Sequence, residues 1–188
     1  MARELPPEIG LPKVKTAAER ALSLDPREIE AHYRLALYSF HRGDAATGTD
    51  HMRRAQELEP DNPVLLATRS LEALAQGSLD EAVQLQQRAV AGAPLNLSFR
   101  YNLANTLYVA GRFDESVQAM REVLEMDANY RADILAYIWI LRGQYQEAVQ
   151  LARSWTDTPD KWESLALAYF GLGALNESDR ALTVAGGV

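Results

Sequence analysis

Tyr101-Asn-Leu-Ala-Asn-Thr-Leu-Tyr108-Val-Ala-Gly111-Arg-Phe-Asp-Glu-Ser-Val117 carries two apolar patterns of helical spacing with a glycine between them. Leu103-Ala104 and Leu107-Tyr108 repeat one turn apart, which lines one apolar face of a helix. Gly111 interrupts the pattern, and Val117, Met120, Val123 and Leu124 then resume it. A sharp reversal between antiparallel helices needs a residue at the end of the first that can take positive φ, and glycine does so without penalty. The stretch therefore predicts two helices folded back on one another about a glycine turn.

Outward from this stretch, the turn glycine returns. Gly43, Gly77 and Gly111 stand 34 residues apart, and Gly143 and Gly173 follow at 32 and 30. A second residue type keeps the same interval: Leu24-Asp-Pro26, Leu58-Glu-Pro60 and Gly92-Ala-Pro94 place prolines 34 and 34 apart. Proline cannot continue a helix, so each closes a second helix and opens the next connection. Ala82-Val83, Leu85 and Ala89-Val90 give the second helix of another unit the same apolar face. Two punctuation marks on one period mean an internal repeat. The reading gives an all-α, right-handed α-solenoid of antiparallel helix pairs, as one domain over 1–188. Its five units lie at roughly 29–58, 63–91, 97–126, 130–155 and 159–185, behind a single helix over 12–24. Ala18, Ala21 and Pro26 keep the repeat spacing, so that first helix is expected to be the second half of a unit, and the chain a fragment of a longer protein.

The pattern resembles the tetratricopeptide repeat (TPR), whose signature is Trp, Leu-Gly, Tyr, a small Ala, an aromatic and Pro. Trp162, Leu165-Ala166, Tyr169 and Gly173 match its first half, with Ala in place of the usual Gly. Ala55, Ala82 and Ala89 fall where the family uses small residues, and 101–117 is similar to its consensus almost throughout. The fourth unit is compressed and lacks the closing proline, so its stacking is expected to differ. Arg69 stands where the family has Leu, which implies a rotated helix or an acidic neighbour.

The resemblance implies a non-enzymatic scaffold whose first helices line a concave groove for a peptide or helix of a protein partner. Carried over by position, the groove residues are Tyr33, Leu37 and Phe40, then Leu71 and Leu74, then Tyr101, Asn102, Asn105, Tyr108 and Tyr137. Asp133, Ile140, Glu163 and Phe170 belong to the same set. Aromatic side chains there would supply large contact area at small entropic cost; as an aromatic stripe at helical spacing, some are equally well read as core. Asn102 and Asn105 resemble the pair that bonds a bound peptide backbone. The carboxylate clamp of some family members is expected to be absent, since the lysines are only Lys13, Lys15 and Lys161, with Arg34 the nearest basic candidate. From Pro7 to His32 the chain is also similar to the entry into C-terminal repeat arrays of bacterial adenylate-cyclase or winged-helix signalling regulators, which implies a sensory or docking part. The second reading is a self-assembling element that forms a homo-dimer through its groove and terminal helices.

Composition narrows the rest. Lys and Arg number 19 against 26 Asp and Glu, a net charge of −7 that argues against direct nucleic-acid binding. The 188 residues contain no cysteine, so disulfides and thiolate zinc sites are excluded and a cytoplasmic site is expected, with the periplasm open for a membrane-anchored longer protein. The longest apolar run, Ile134–Leu141, is too short for the roughly 20 residues of a membrane-spanning helix. No metal, cofactor or catalytic group is expected. His32, His41 and His51 do not share one helical turn and read as surface or capping residues. Asp80-Glu81, Asp114-Glu115 and Glu147 open second helices, where the positive dipole end favours them.

Overall fold

The computed structural model describes residues 7–130, 132–155 and 159–186, with side chains from residue 12 and, in the last segment, from residue 161. It is an α-solenoid of helix pairs, and among the described residues every regular element is a helix. In order these are α1 (Pro7–Leu24), α2 (Ile29–His41), α3 (Ala45–Leu58), α4 (Pro63–Ala75), α5 (Leu79–Gly92), α6 (Leu97–Val109), α7 (Phe113–Met126), α8 (Asp133–Leu141), α9 (Tyr145–Arg153), α10 (Pro159–Gly171) and α11 (Leu175–Ala185). The first helix starts at Pro7, ahead of the residue-12 start read from the sequence, and carries Pro12 within it. The chain divides into two compact bodies, residues 1–69 and 70–188, with the boundary inside α4.

The reversal at Gly111 shows why the period is set by glycine. Gly111 has φ 73°, its N–H donates to the Tyr108 carbonyl at 3.0 Å, and the Arg112 N–H donates to Leu107 O at 2.9 Å. Together these bonds satisfy carbonyls at the end of α6 that would otherwise lack partners. A Cβ on Gly111 would meet nothing within 4 Å, so the requirement is the backbone angle and not space. The other four turns use the same angle, between 72° and 78°. The second helices then open on caps or acids: Asp44 accepts from the Thr47 N–H at 3.1 Å, and Asp80, Glu81, Asp114 and Glu115 lie in first turns.

Small residues set how closely paired helices approach. Seven residues before each turn glycine stand Ala36, Ser70, Ala104, Ala136 and Ala166; five after it stand Gly48, Ala82, Ser116, Ala148 and Ser178. All ten are buried. The hydroxyls among them bridge the pair: Ser116 Oγ donates to Ala104 O at 2.7 Å and Ser178 Oγ to Ala166 O at 2.9 Å. In α4 and α5 the direction reverses, with Ser70 Oγ donating to Ala82 O at 2.8 Å. Gly48 goes further, since a Cβ there would come within 2.5 Å of the Phe40 ring.

Each body has its own core. In the first, Ala18, Ala31 and Leu35 pack together beside a second group of Ala36, Met52, Ala55 and Leu65. In the second, Val83, Leu107, Met120, Val123, Ile134 and Ile138 form one cluster and Ala148, Ala152, Leu165, Ala166 and Ala181 another. The alanine-rich cluster lies where the repeat is compressed: α8 and α9 have 9 residues each, against 13 and 14 in α6 and α7.

Candidate protein-interaction surface

The residues assigned to an interaction surface all lie on first helices of pairs. In the first body, Tyr33 is half-buried against the core around Met52, while Leu37 is exposed and Phe40 is 39% exposed. Phe40 stands over Gly48, and that missing side chain lets the ring lie along α3.

In the second body the surface is less uniform. Leu71 is 56% exposed and Phe170 68%, and Leu74, Asn102, Asn105, Tyr108, Tyr137 and Ile140 are half-buried. Tyr108 packs its ring against Phe113 with centroids 5.9 Å apart. Tyr101 is held: its hydroxyl donates to both carboxylate oxygens of Asp133 at 3.1 Å, and its ring lies 5.7 Å from that of Tyr130. Asp133 is itself buried, so this polar point ties α6 to α8. Sequence position alone could not distinguish Tyr101 from Tyr108, since both fall on the same helical face. Arg69 is half-buried in α4, where Leu65 and Leu66 are fully buried.

The histidines form a cluster that spacing along one helix had concealed. His32, for which the sequence implies a surface or capping role, is only 4% exposed and pairs with His51 across the α2–α3 hairpin, Nδ1 to Nδ1 at 3.0 Å. Its other ring nitrogen, Nε2, lies 3.1 Å from the Pro26 carbonyl. A carbonyl can only accept, so His32 carries its proton on Nε2 and offers a lone pair on Nδ1, to which the His51 Nδ1–H donates. Burial holds His51 below the usual histidine range, and the neighbouring His32 adds to the effect. The pair thus fastens the turn after α1 to both α2 and α3. His41 ends α2 and is exposed.

Among the described residues no three His, Cys, Asp or Glu side chains come together as metal ligands, and no helix is long and apolar enough to cross a membrane. Two acids at the start of α7 form ion pairs, Asp114 with Arg142 at 2.6 Å and Glu115 with Arg112. Arg112 bonds Glu115 at 2.5 and 2.7 Å and holds its carboxyl below the usual range.

Two tetratricopeptide-repeat family models match the chain, one over residues 15–63 and the other over 73–137, together more than half of it. Over 77 residues the chain is 36% identical to a protein of Pseudomonas putida named as the probable biofilm formation methyltransferase WspC, a match that takes in 41% of this chain and 18% of the relative. The chain thus spans less than a fifth of that curated relative. Among solved structures, PilF of Pseudomonas aeruginosa is similar over 93% of this chain and 82% of its own, with a TM-score of 0.71 and 15% identity. A thermophilic TPR protein of Thermus thermophilus is similar over 84% of this chain and 89% of its own, with a TM-score of 0.65 and 18% identity. At such identities the likeness is one of fold. Five glycine reversals, the small residues apposed between paired helices and these matches lead to one assignment: the chain belongs to the tetratricopeptide-repeat family, whose solenoids are scaffolds for protein–protein interaction.

Proposed function

We propose that the chain is a non-enzymatic docking module of a bacterial signalling protein, working in the cytoplasm, which holds a peptide or helical segment of a partner on the first helices of its second body. The observation that carries this reading is the apolar surface those helices leave in solvent. Phe170 is 68% exposed and Leu71 56%, with the half-buried Tyr108 and Tyr137 and the amide of Asn105 on α6 and α8. Large apolar side chains gathered on one kind of element, with a few polar groups among them, are the composition of a docking surface. The signalling part of the proposal draws on the relative, whose name assigns it to biofilm formation. The methyltransferase activity in that name is said of a protein more than five times longer than the match. Tyr101, held by Asp133, serves here to fix α6 against α8 and not to touch the ligand.

The test is capture from a bacterial lysate, read by mass spectrometry, with wild type beside a triple variant Asn105→Ala, Tyr137→Ala, Phe170→Ala of unchanged helicity. Partners held by the wild type and lost by the variant support the surface; equal recovery from both rejects it.

A second reading, self-association to a homo-dimer, is favoured by the last helix pair. Leu172, Leu175, Leu182 and Val184 are all exposed on or beside α11. A mass that doubles with concentration in light scattering, and stays monomeric in a Leu175→Ser, Leu182→Ser variant, would establish it.

A further inference from the structure

The position eleven residues before the turn glycine carries different chemistry from repeat to repeat. In the first repeat it is His32, bonded to His51 and the Pro26 carbonyl. In the third it is Arg100, which donates to Pro94 O at 2.6 Å and to Glu122 at 2.8 Å and so closes the space beside α6 with an ion pair. In the fifth it is Trp162, half-buried, and the neighbouring Lys161 makes the backward bond instead, to Trp155 O at 3.1 Å. Among the described residues nothing closes the space there. Helix α9 ends at Arg153 after 9 residues where α3, α5 and α7 run for 14. The missing length, at about 1.5 Å per residue, is roughly 7 Å of helix.

A cavity of about 420 Å³ opens at this place, over a floor of Leu165 and Ala181. Trp162 and Tyr169 form aromatic walls, and Arg153, Lys161 and Arg180 stand around it with Glu177 as the one acid among the described lining residues. The aromatic rings fix two of the cations. Arg153 donates to the Tyr169 hydroxyl at 2.6 Å with its guanidinium 5.8 Å from the ring centre, and Lys161 Nζ lies 5.2 Å from that of Trp162. Arg153 spends one donor on Tyr169, and a guanidinium has five.

We propose that this cavity is a second docking site, separate from the first-helix surface, which takes a short acidic peptide segment carrying one adjacent aliphatic or aromatic side chain. Among the described lining residues the guanidiniums of Arg153 and Arg180 stand against the one carboxylate of Glu177, in a chain whose net charge is −7, and so favour an anion locally. The apolar side chain seats on Leu165 and Ala181, and the carboxylate meets the forked donors of Arg153 and Arg180. The volume suits one or two side chains, near the lower end of ligand pockets. A nucleic-acid backbone would bring many phosphates toward a strongly acidic protein, which the charge balance opposes.

The probe is the hexapeptide acetyl-Glu-Asp-Leu-Phe-Glu-Asp-amide, titrated into the 188-residue chain with amide and indole resonances followed by NMR. The Trp162 indole N–H and amides of α10 and α11 should shift saturably. The counterpart with Gln and Asn for every acid should bind at least tenfold more weakly. Arg153→Gln with Arg180→Gln should cost tenfold or more, while Arg54→Gln, at an exposed cation of the first body, changes nothing. Because Arg153 also bonds Tyr169, Arg180→Gln alone, at an exposed residue, serves as the fold-neutral variant and should cost about threefold, or ~0.6 kcal/mol. Equal binding of the neutral peptide, saturable shifts elsewhere only, no saturation at millimolar peptide, or tighter binding of inorganic phosphate or AMP at the same resonances would each overturn the proposal.

Discussion

Replacing Gly48 by Ala puts two opposed effects on one atom. Gly48 lies inside α3, where exchanging glycine for alanine favours the helix by about 1 kcal/mol. The new methyl would come within 2.5 Å of Phe40 Cε1 and 3.0 Å of Cγ, so the ring must leave its place along α3. Phe40 is 39% exposed where it lies, so displacement loses part of an aromatic burial that is worth about 3 kcal/mol in full, from ~120 Å² at ~25 cal/mol/Å². Losing half of that outweighs the helix gain, and Gly48→Ala should destabilise the first body by about 0.5 kcal/mol. Once Phe40→Ala removes the ring, the same substitution should stabilise by about 1 kcal/mol, a coupling of roughly 1.5 kcal/mol. Urea unfolding of the four proteins of the cycle, with hydrogen exchange of the α2 and α3 amides to place the change, measures it. Additivity within about 0.3 kcal/mol would show that Phe40 does not rest on Gly48, and the small-residue account of this pair would fail.

Other substitutions probe other parts of the same logic. Gly111→Ala forces a side chain into φ 73° and should lower stability by about 1–2 kcal/mol although nothing stands in its way, read from the urea midpoint. Ser116→Ala deletes a buried donor to Ala104 O and should cost about 1 kcal/mol. Ser164→Ala should by contrast be neutral or stabilising by up to about 1 kcal/mol, since the buried Ser164 Oγ has no partner among the described residues; equal losses at both serines would refute the distinction. Because the folded state holds His51 below its unfolded value near 6.5, its contribution is present above about pH 6.5 and is lost as pH falls through the folded value. Unfolding of the first body should ease below about pH 6.5, and His51→Gln should flatten that dependence; an unchanged slope in the variant would place the titration elsewhere.

The repeat was legible in the sequence because a backbone angle has few chemical solutions. Positive φ in a tight reversal selects glycine, and five glycines declared five turns. The helix faces were equally plain, since burial against both neighbours demands apolar residues at helical spacing. What the sequence withheld were contacts made across the pairs. Tyr101 and Asp133 lie 32 residues apart, and His32 and His51 lie 19 apart, so neither pair has a signature along one helix. The reversed hydroxyl bond from Ser70 is instructive for the same reason: the position seven before the glycine is small in every repeat, and which of the two apposed residues carries the hydroxyl is free to vary.

That freedom explains how a periodic chain carries a specific function. Positions that set the fold tolerate little: the turn residue must be glycine and the apposed pair must be small, whichever repeat they belong to. The position eleven before the glycine obeys a looser rule, because it has only to fill the space between its own pair and the end of the helix before. His32, Leu66, Arg100, Ala132 and Trp162 occupy it in turn, as an imidazole pair, an aliphatic, an ion pair, a methyl and an indole. Closing the space with Arg100 and Glu122 yields a finished wall, whereas the indole beside a shortened α9 lines an opening that Arg153 and Arg180 also reach. Specificity in such a chain therefore resides where the period is obeyed in geometry and broken in chemistry.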